Sequence, residues 1–179
     1  MQERPQSALV VLVPEAEPVV RRHRHALDPS TQFGVPAHIT VLYPFVPPEH
    51  IDETILERVA RIAADSPSHE VRLSRTAWFG RHVLWLAPDD PEPFSVLTER
   101  VSAAFPDHPP YEGTIESIIP HLTVGDRAPV AAMEEAERCL LQDLPIDDRV
   151  THLTLLAQER AGGHFTTKAT FPFGNVALS

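Results

Sequence analysis

A single cysteine, Cys139, is the only thiol in 179 residues, so no intrachain disulfide framework can form. Its place in the apolar phase of a helical pattern marks it as a buried packing thiol rather than a nucleophile. No apolar run approaches the roughly 20 residues that span a bilayer. The start, Met1-Gln2-Glu3-Arg4-Pro5, lacks a basic stretch followed by an apolar one, so no signal peptide is expected. These absences point to a cytoplasmic protein with no membrane partner. Gly-x-x-x-x-Gly-Lys and Gly-x-Gly-x-x-Gly segments are missing, and with them the usual cradles for nucleoside triphosphates and dinucleotides. A Gly-x-Ser-x-Gly elbow is missing too, which weakens a serine-hydrolase reading. There is no His-Glu-x-x-His helix and no pair of Cys-x-x-Cys segments, so neither a zinc site nor any other cofactor is expected.

Positive charge is also scarce. Fifteen Lys and Arg stand against 25 Asp and Glu, a formal net charge of −10. Such a chain repels DNA and long RNA at a distance, whereas one small anion needs only a few local donors. The densest basic run, Arg21-Arg22-His23-Arg24-His25, spreads its charges around much of a helix and reads as a solvated face. His23 and His25, two apart on that helix, point in different directions and are poorly placed to share a metal.

What is present is a globular composition, 42% hydrophobic. The length suits one compact domain, or two small lobes sharing a core, and a monomer is expected. The 19 prolines are about twice the usual share and fall at element boundaries. Ser7–Val13 reads as a buried strand, Glu15–Leu27 as a helix, and His38–Phe45 as a strand after a loop with Gly34 and Pro36. A helix over Ile51–Ala64 and a strand over Glu70–Phe79 follow. The order then starts again: strand His82–Ala87, helix Pro93–Phe105, a proline-rich loop, strand Ser117–Val124, helix Val130–Leu141 and strand Arg149–Ala157. A last strand, His164–Phe173, pairs with the one before it across Gly162-Gly163. The unit strand–helix–loop–strand–helix–strand thus occurs twice, giving pseudo-repeats at about 6–80 and 82–173 within one bilobal domain over 1–179.

The chemistry lies in the second strand of each unit. Pro36-Ala37-His38-Ile39-Thr40-Val41 and Ile119-Pro120-His121-Leu122-Thr123-Val124 are nearly alike, with histidines 83 positions apart. Side chains alternate on a strand, so each histidine shares a face with its threonine, roughly 6.6 Å along the chain, while Ile39, Val41, Leu122 and Val124 point into the core. His-x-Thr alone is weak, since composition gives roughly 0.7 occurrences by chance. The chain has four, but His152-Leu153-Thr154 and His164-Phe165-Thr166 sit elsewhere in the repeat and read as ordinary strand and surface residues. Two histidines with two hydroxyls suit a metal-free reaction on a phosphodiester: one takes a proton, the other gives one, and the hydroxyls hold phosphoryl oxygens.

These paired strands resemble the signature motifs of the 2H phosphoesterase superfamily, in particular its LigT-like 2′-5′ RNA ligase and cyclic phosphodiesterase branch. Asp28-Pro29 through Pro36-Ala37-His38-Ile39-Thr40 to Tyr43-Pro44-Phe45 is similar to the first motif region, and Pro120-His121-Leu122-Thr123-Val124-Gly125 to the second. The resemblance implies an α+β, bilobal, duplicated fold in which two antiparallel sheets, flanked by helices, surround a central cleft. It implies hydrolysis of 2′,3′-cyclic phosphates or related phosphodiesters of RNA ends or nucleotides, and in some members reversible 2′-5′ RNA ligation. His38 and His121 would then be the acid–base pair, in an order left open, with Thr40 and Thr123 binding nonbridging oxygens. Tyr43, Phe45 and Arg127 are candidates for substrate contact, and Trp78 is a further aromatic that could stack on a base. The competing reading is a non-catalytic sensor that binds a nucleotide or phosphoester, although binding alone would not require two proton carriers.

Overall fold

Ser7–Leu12 (β1) is apolar and rich in branched side chains, and it folds as a strand buried along nearly its whole length. In the computed structural model, which describes residues 4–113 and 118–175, it is followed by helix Glu17–Leu27 (α1) and strand His38–Leu42 (β2). Helix Glu53–Ala64 (α2) begins at Asp52, whose Oδ1 accepts the Ile55 N–H at 2.9 Å, the usual way an N-cap satisfies an orphan amide. Next come strands His69–Phe79 (β3) and Val83–Pro88 (β4), then helix Glu92–Ala104 (α3) and strand Leu122–Asp126 (β5). Helix Val130–Asp143 (α4) precedes strands Ile146–Val150 (β6), His152–Gln158 (β7) and Phe165–Pro172 (β8).

The strands form two four-stranded antiparallel sheets, ordered β2-β1-β7-β8 and β5-β4-β3-β6. In the second sheet β4 takes the place of β1, and β5 that of β2. The strand β3 crosses into the second sheet and β7 returns to the first, each opening on a histidine, His69 and His152. This is the α+β fold of two antiparallel sheets with flanking helices that the sequence led us to expect.

Leu9, Val11, Ile39 and Val41 of the first sheet share one buried cluster with Leu84, Leu86, Leu122 and Val124 of the second. The helices tie the two halves together. α1, from the first half, packs on β5, and α3, from the second, packs on β2, while β2 and β5 also contact each other. Gly125 shows how tight this is: a Cβ there would lie 3.1 Å from Leu27 Cβ and 3.1 Å from Met133 Sδ. A larger residue would press on Leu27 of α1 and Met133 of α4. The strands that carry the paired motifs are therefore held against one another by helices from opposite halves.

Several expectations need correction. The strand expected over Arg149–Ala157 is two strands in two different sheets. Val150 closes the register with His69 in the second sheet, and Leu155 pairs with Leu9 in the first. Thr151 makes the crossing, its carbonyl accepting the Phe173 N–H at 2.8 Å. No glycine or proline marks the step; its trace is a slip in phase, with Ile146 and Val150 buried before it, Thr151 and His152 both exposed, and Leu153 and Leu155 buried after it. The strand expected over Ser117–Val124 begins only at Leu122, and Ser117 lies outside the described residues. Cys139 is exposed rather than buried, because α4 buries Met133, Ala136 and Leu140 and leaves position 139 on its flank. Arg24, expected on a solvated face, is 2% exposed. No helix among the described residues is long and apolar enough to cross a membrane.

Candidate active site

His38 opens β2, and His121 immediately precedes β5. Both rings are held by the same device. His38 Nδ1 lies 2.7 Å from the Pro36 carbonyl oxygen, and His121 Nδ1 lies 2.6 Å from that of Ile119. A carbonyl can only accept, so each Nδ1 carries the proton and donates it. Nε2 is thereby left as the atom that takes or gives a proton. Burial lowers the pKa of His38 to about 4, against the raising effect of the Pro36 carbonyl; the nearby charges of Arg24 and His121 add to the lowering and Asp28 opposes it. Burial also lowers that of His121, against the raising effect of the Ile119 carbonyl. The two imidazoles are thus close enough for the charge of one to bear on the other.

Strand register sets what surrounds them. Thr40 lies opposite Val10, and Thr123 lies opposite Trp85, so each threonine faces away from the core with its histidine. Around His121 stands an aromatic wall. Phe79 meets the imidazole edge-to-face at 5.0 Å, Trp85 meets it at 5.7 Å, and these two rings stack on each other at 4.7 Å. The wall belongs to no motif; only the period-two alternation of β3 and β4 hinted at it. On the other side, next to His38 and Thr40, opens a cavity of about 520 Å³ walled by Val10, Phe33, Val35, Tyr43, Leu156 and Phe165.

The approach to His38 is anchored by α1. Arg24 Nη2 donates to Asp28 Oδ2 at 2.8 Å, to Ser30 Oγ at 3.2 Å and to the Val35 carbonyl at 3.3 Å. Asp28 Oδ1 accepts the Ser30 N–H at 2.9 Å, starting the 3-10 turn Pro29–Phe33 that ends at Gly34, where φ is +75°. Glu17 Oε1 takes the Ala37 N–H at 2.5 Å, one residue before His38. Sequence reading missed this network because an arginine among arginines looks like surface. The i, i+4 spacing of Arg24 and Asp28 was the available signal.

The substrate-contact candidates separate. Tyr43 lines the cavity beside His38. Phe45 does not: it is 3% exposed and packs edge-to-face on Phe105 at 5.0 Å, as a core residue. Arg127 stands at the far end of β5, six residues and roughly 20 Å from His121, with its side chain 86% exposed beside Asp126. Trp78 lies on the core face of its sheet, its Nε1 donating to Glu137 Oε1 at 3.0 Å. His152 is exposed at the start of β7, its Nδ1 2.8 Å from Thr151 Oγ1. Among the described residues, no three His, Cys, Asp or Glu side chains cluster as metal ligands would.

Comparison with known proteins bears on the fold and the family. A Geobacillus kaustophilus protein provisionally named a phosphoesterase is 27% identical over 144 residues, covering 78% of this chain and 80% of that one. The crystal structure of TT0787 of Thermus thermophilus superposes with a TM-score of 0.64 at 19% identity, covering 95% of this chain and 98% of that one. Escherichia coli LigT complexed with 3′-AMP superposes at 0.59 and 17% identity, covering 95% and 99%; complexed with NADP+ it gives 0.56 and 18%, covering 97% and 99%. At these identities the structures speak for the fold. The sequence model of the 2′-5′ RNA ligase superfamily matches residues 12–162, most of the chain and both His-x-Thr strands, and the chain belongs to that superfamily.

Proposed function

We propose that this protein is a metal-independent phosphoesterase that opens 2′,3′-cyclic phosphates, or related phosphodiesters of nucleotides or RNA ends, by two-histidine acid–base catalysis. One observation carries the reading. Two histidines at the heads of contacting strands each spend Nδ1 on a carbonyl two residues back, which leaves Nε2 for proton transfer, and each has a threonine two residues on along the same strand face. The nucleotide-bound LigT structures and the phosphoesterase name of the Geobacillus relative support the same substrate class. We read the catalytic unit as one bilobal domain whose halves, about 6–80 and 82–173, each contribute one motif.

In the reaction, water attacks phosphorus and one P–O bond to ribose breaks. The neutral histidine takes a proton from the water at Nε2, and the charged one gives its Nε2 proton to the departing ribose oxygen. Thr40 and Thr123 donate to the nonbridging oxygens as charge builds on them. His38 is the better base in this scheme. It is the more deeply desolvated ring and lies near the Arg24 charge, so it stays neutral where a base must. His121 then serves as the acid. Proton exchange with solvent resets the pair after each turnover.

The test is turnover of a 2′,3′-cyclic nucleotide by purified protein before and after dialysis against EDTA. The expected result is hydrolysis to a monoester that survives chelation. Loss on chelation with recovery on adding a divalent ion overturns the mechanism. The pH profile provides a second check. Both imidazoles have lowered pKa values in the free protein, so kcat/KM should peak on the acidic side of the ordinary imidazole value of about 6.5. A bound phosphate anion favours the charged rings and raises both, so the profile of kcat should sit at higher pH than that of kcat/KM. An optimum in kcat/KM well above neutrality contradicts the assignment.

A further inference from the structure

We infer that the cavity beside His38 and Thr40 takes an uncharged, hydrocarbon-like group carried on the reacting phosphate, in preference to a nucleobase. The inference rests on the phosphoesterase reading and shifts its substrate class from nucleotides toward phosphodiesters that carry an apolar group. Three observations carry it. The cavity shares His38 and Thr40 as part of its own wall, so whatever fills it is joined to, or lies against, the group those side chains handle. Its volume of about 520 Å³ lies inside the roughly 300–1,000 Å³ of small-molecule sites. And among its described lining residues there is no Asp, Glu, Lys or Arg.

The remaining polar groups sharpen the point. Ser30 Oγ is already engaged, donating to Asp28 Oδ2 at 2.8 Å and accepting from Arg24 Nη2 at 3.2 Å. His38 and Thr40 are assigned to the phosphate. Apart from Tyr43, the remaining side chains of the wall are carbon, chiefly Val10, Phe33, Val35, Leu156 and Phe165. A purine placed here exchanges water for carbon along its hydrogen-bonding edge, which costs affinity for each polar atom left unmatched. A hydrocarbon of the same outline loses nothing. A second phosphate finds no cation in the cavity, so a pyrophosphate is disfavoured as well.

The experiment is calorimetric titration of the intact protein with methylphosphonate, 2-naphthylphosphonate and adenosine 3′-monophosphate, alongside the cyclic-nucleotide turnover assay. Burying about 80–100 Å² of aromatic surface corresponds to roughly 30-fold tighter binding of the naphthyl compound than of methylphosphonate. It should also bind more tightly than the nucleotide. Phe165→Ala, which removes a ring from the wall without adding charge, should shrink most of the advantage. Phe33 is already exposed on its turn, so Phe33→Asp provides a variant whose folding is not in question, and it should shrink the same advantage. If turnover is normal and the naphthyl compound binds no better than methylphosphonate, the pocket assignment falls and the phosphoesterase reading stands. Tighter binding of the nucleotide than of the naphthyl compound also overturns it. If no phosphodiester is hydrolysed yet the naphthyl preference persists, the phosphoesterase reading fails and takes the substrate class with it.

Discussion

Each motif histidine is tied to the carbonyl two residues earlier, which fixes its tautomer before any ligand arrives. Replacing either ring removes a proton carrier without removing core packing, since both side chains stand on the face away from Ile39 and Leu122. His38→Ala and His121→Ala should each lower kcat/KM by about 10²–10⁴-fold, with an unfolding midpoint close to wild type. His152→Ala, altering an exposed ring at a strand end, should retain full activity. A dead His152→Ala beside an active His121→Ala means the wrong pair has been chosen. At this scale the site was readable where chemistry and strand period coincide, as in the two His-x-Thr runs. It was unreadable where a residue acts through packing alone. Phe79 and Trp85 meet His121 only because β3, β4 and β5 align, and that alignment is a property of the sheet rather than of any short segment.

At the scale of the element, the segment from Asp28 to Pro36 decides where His38 sits, and Arg24 holds that segment from within α1. Its guanidinium is buried with the Asp28 carboxylate, which is 6% exposed. Breaking a buried pair from one side leaves the other charge uncompensated, at a cost of about 3–5 kcal/mol, whereas replacing both partners with apolar residues is often close to neutral. Arg24→Leu should therefore lower stability strongly in urea denaturation, and Arg24→Leu combined with Asp28→Leu should recover much of the loss. The double variant still lacks the bonds to Ser30 and Val35, so its activity should remain below wild type even where its stability returns. Equal stability for the single and double variants is the result that contradicts this account. The network illustrates why helix α1 was legible and its role was not. Periodicity marks a helix over these residues, but the same arginine spacing fits a solvated face as well as a buried clamp. The split of Arg149–Ala157 has a similar cause, because its only trace in the sequence is a one-residue slip in the apolar phase between Val150 and Leu153, with no turn residue to mark it.

For the whole molecule, the proposed phosphate site lies where the two sheets meet, in an acidic protein of net charge −10. Arg127 stands roughly 20 Å along β5 from His121 and cannot reach a phosphate held there. Arg75 is better placed. It is exposed, and its register opposite Ala87 puts it on the same sheet face as Trp85 and Thr123, two strands or about 10 Å from β5. A protein that neutralises many phosphates on single-stranded nucleic acid loses affinity with salt at a slope of about −0.7 per contact. One reacting phosphate and one nearby cation imply roughly one or two contacts, and hence a shallow slope. A cyclic mononucleotide should therefore be turned over about as well as a cyclic-phosphate-ended RNA of some ten residues. Measuring kcat/KM against salt for both substrates decides this. Arg75→Ala should flatten what slope there is, and Arg127→Ala should leave it unchanged. A marked preference for the longer RNA that collapses as salt is added reveals a basic track across the surface. The helix-face residues Arg21 and Arg22 are then the first positions to replace, since they are exposed and their neighbour Arg24 is already committed to Asp28.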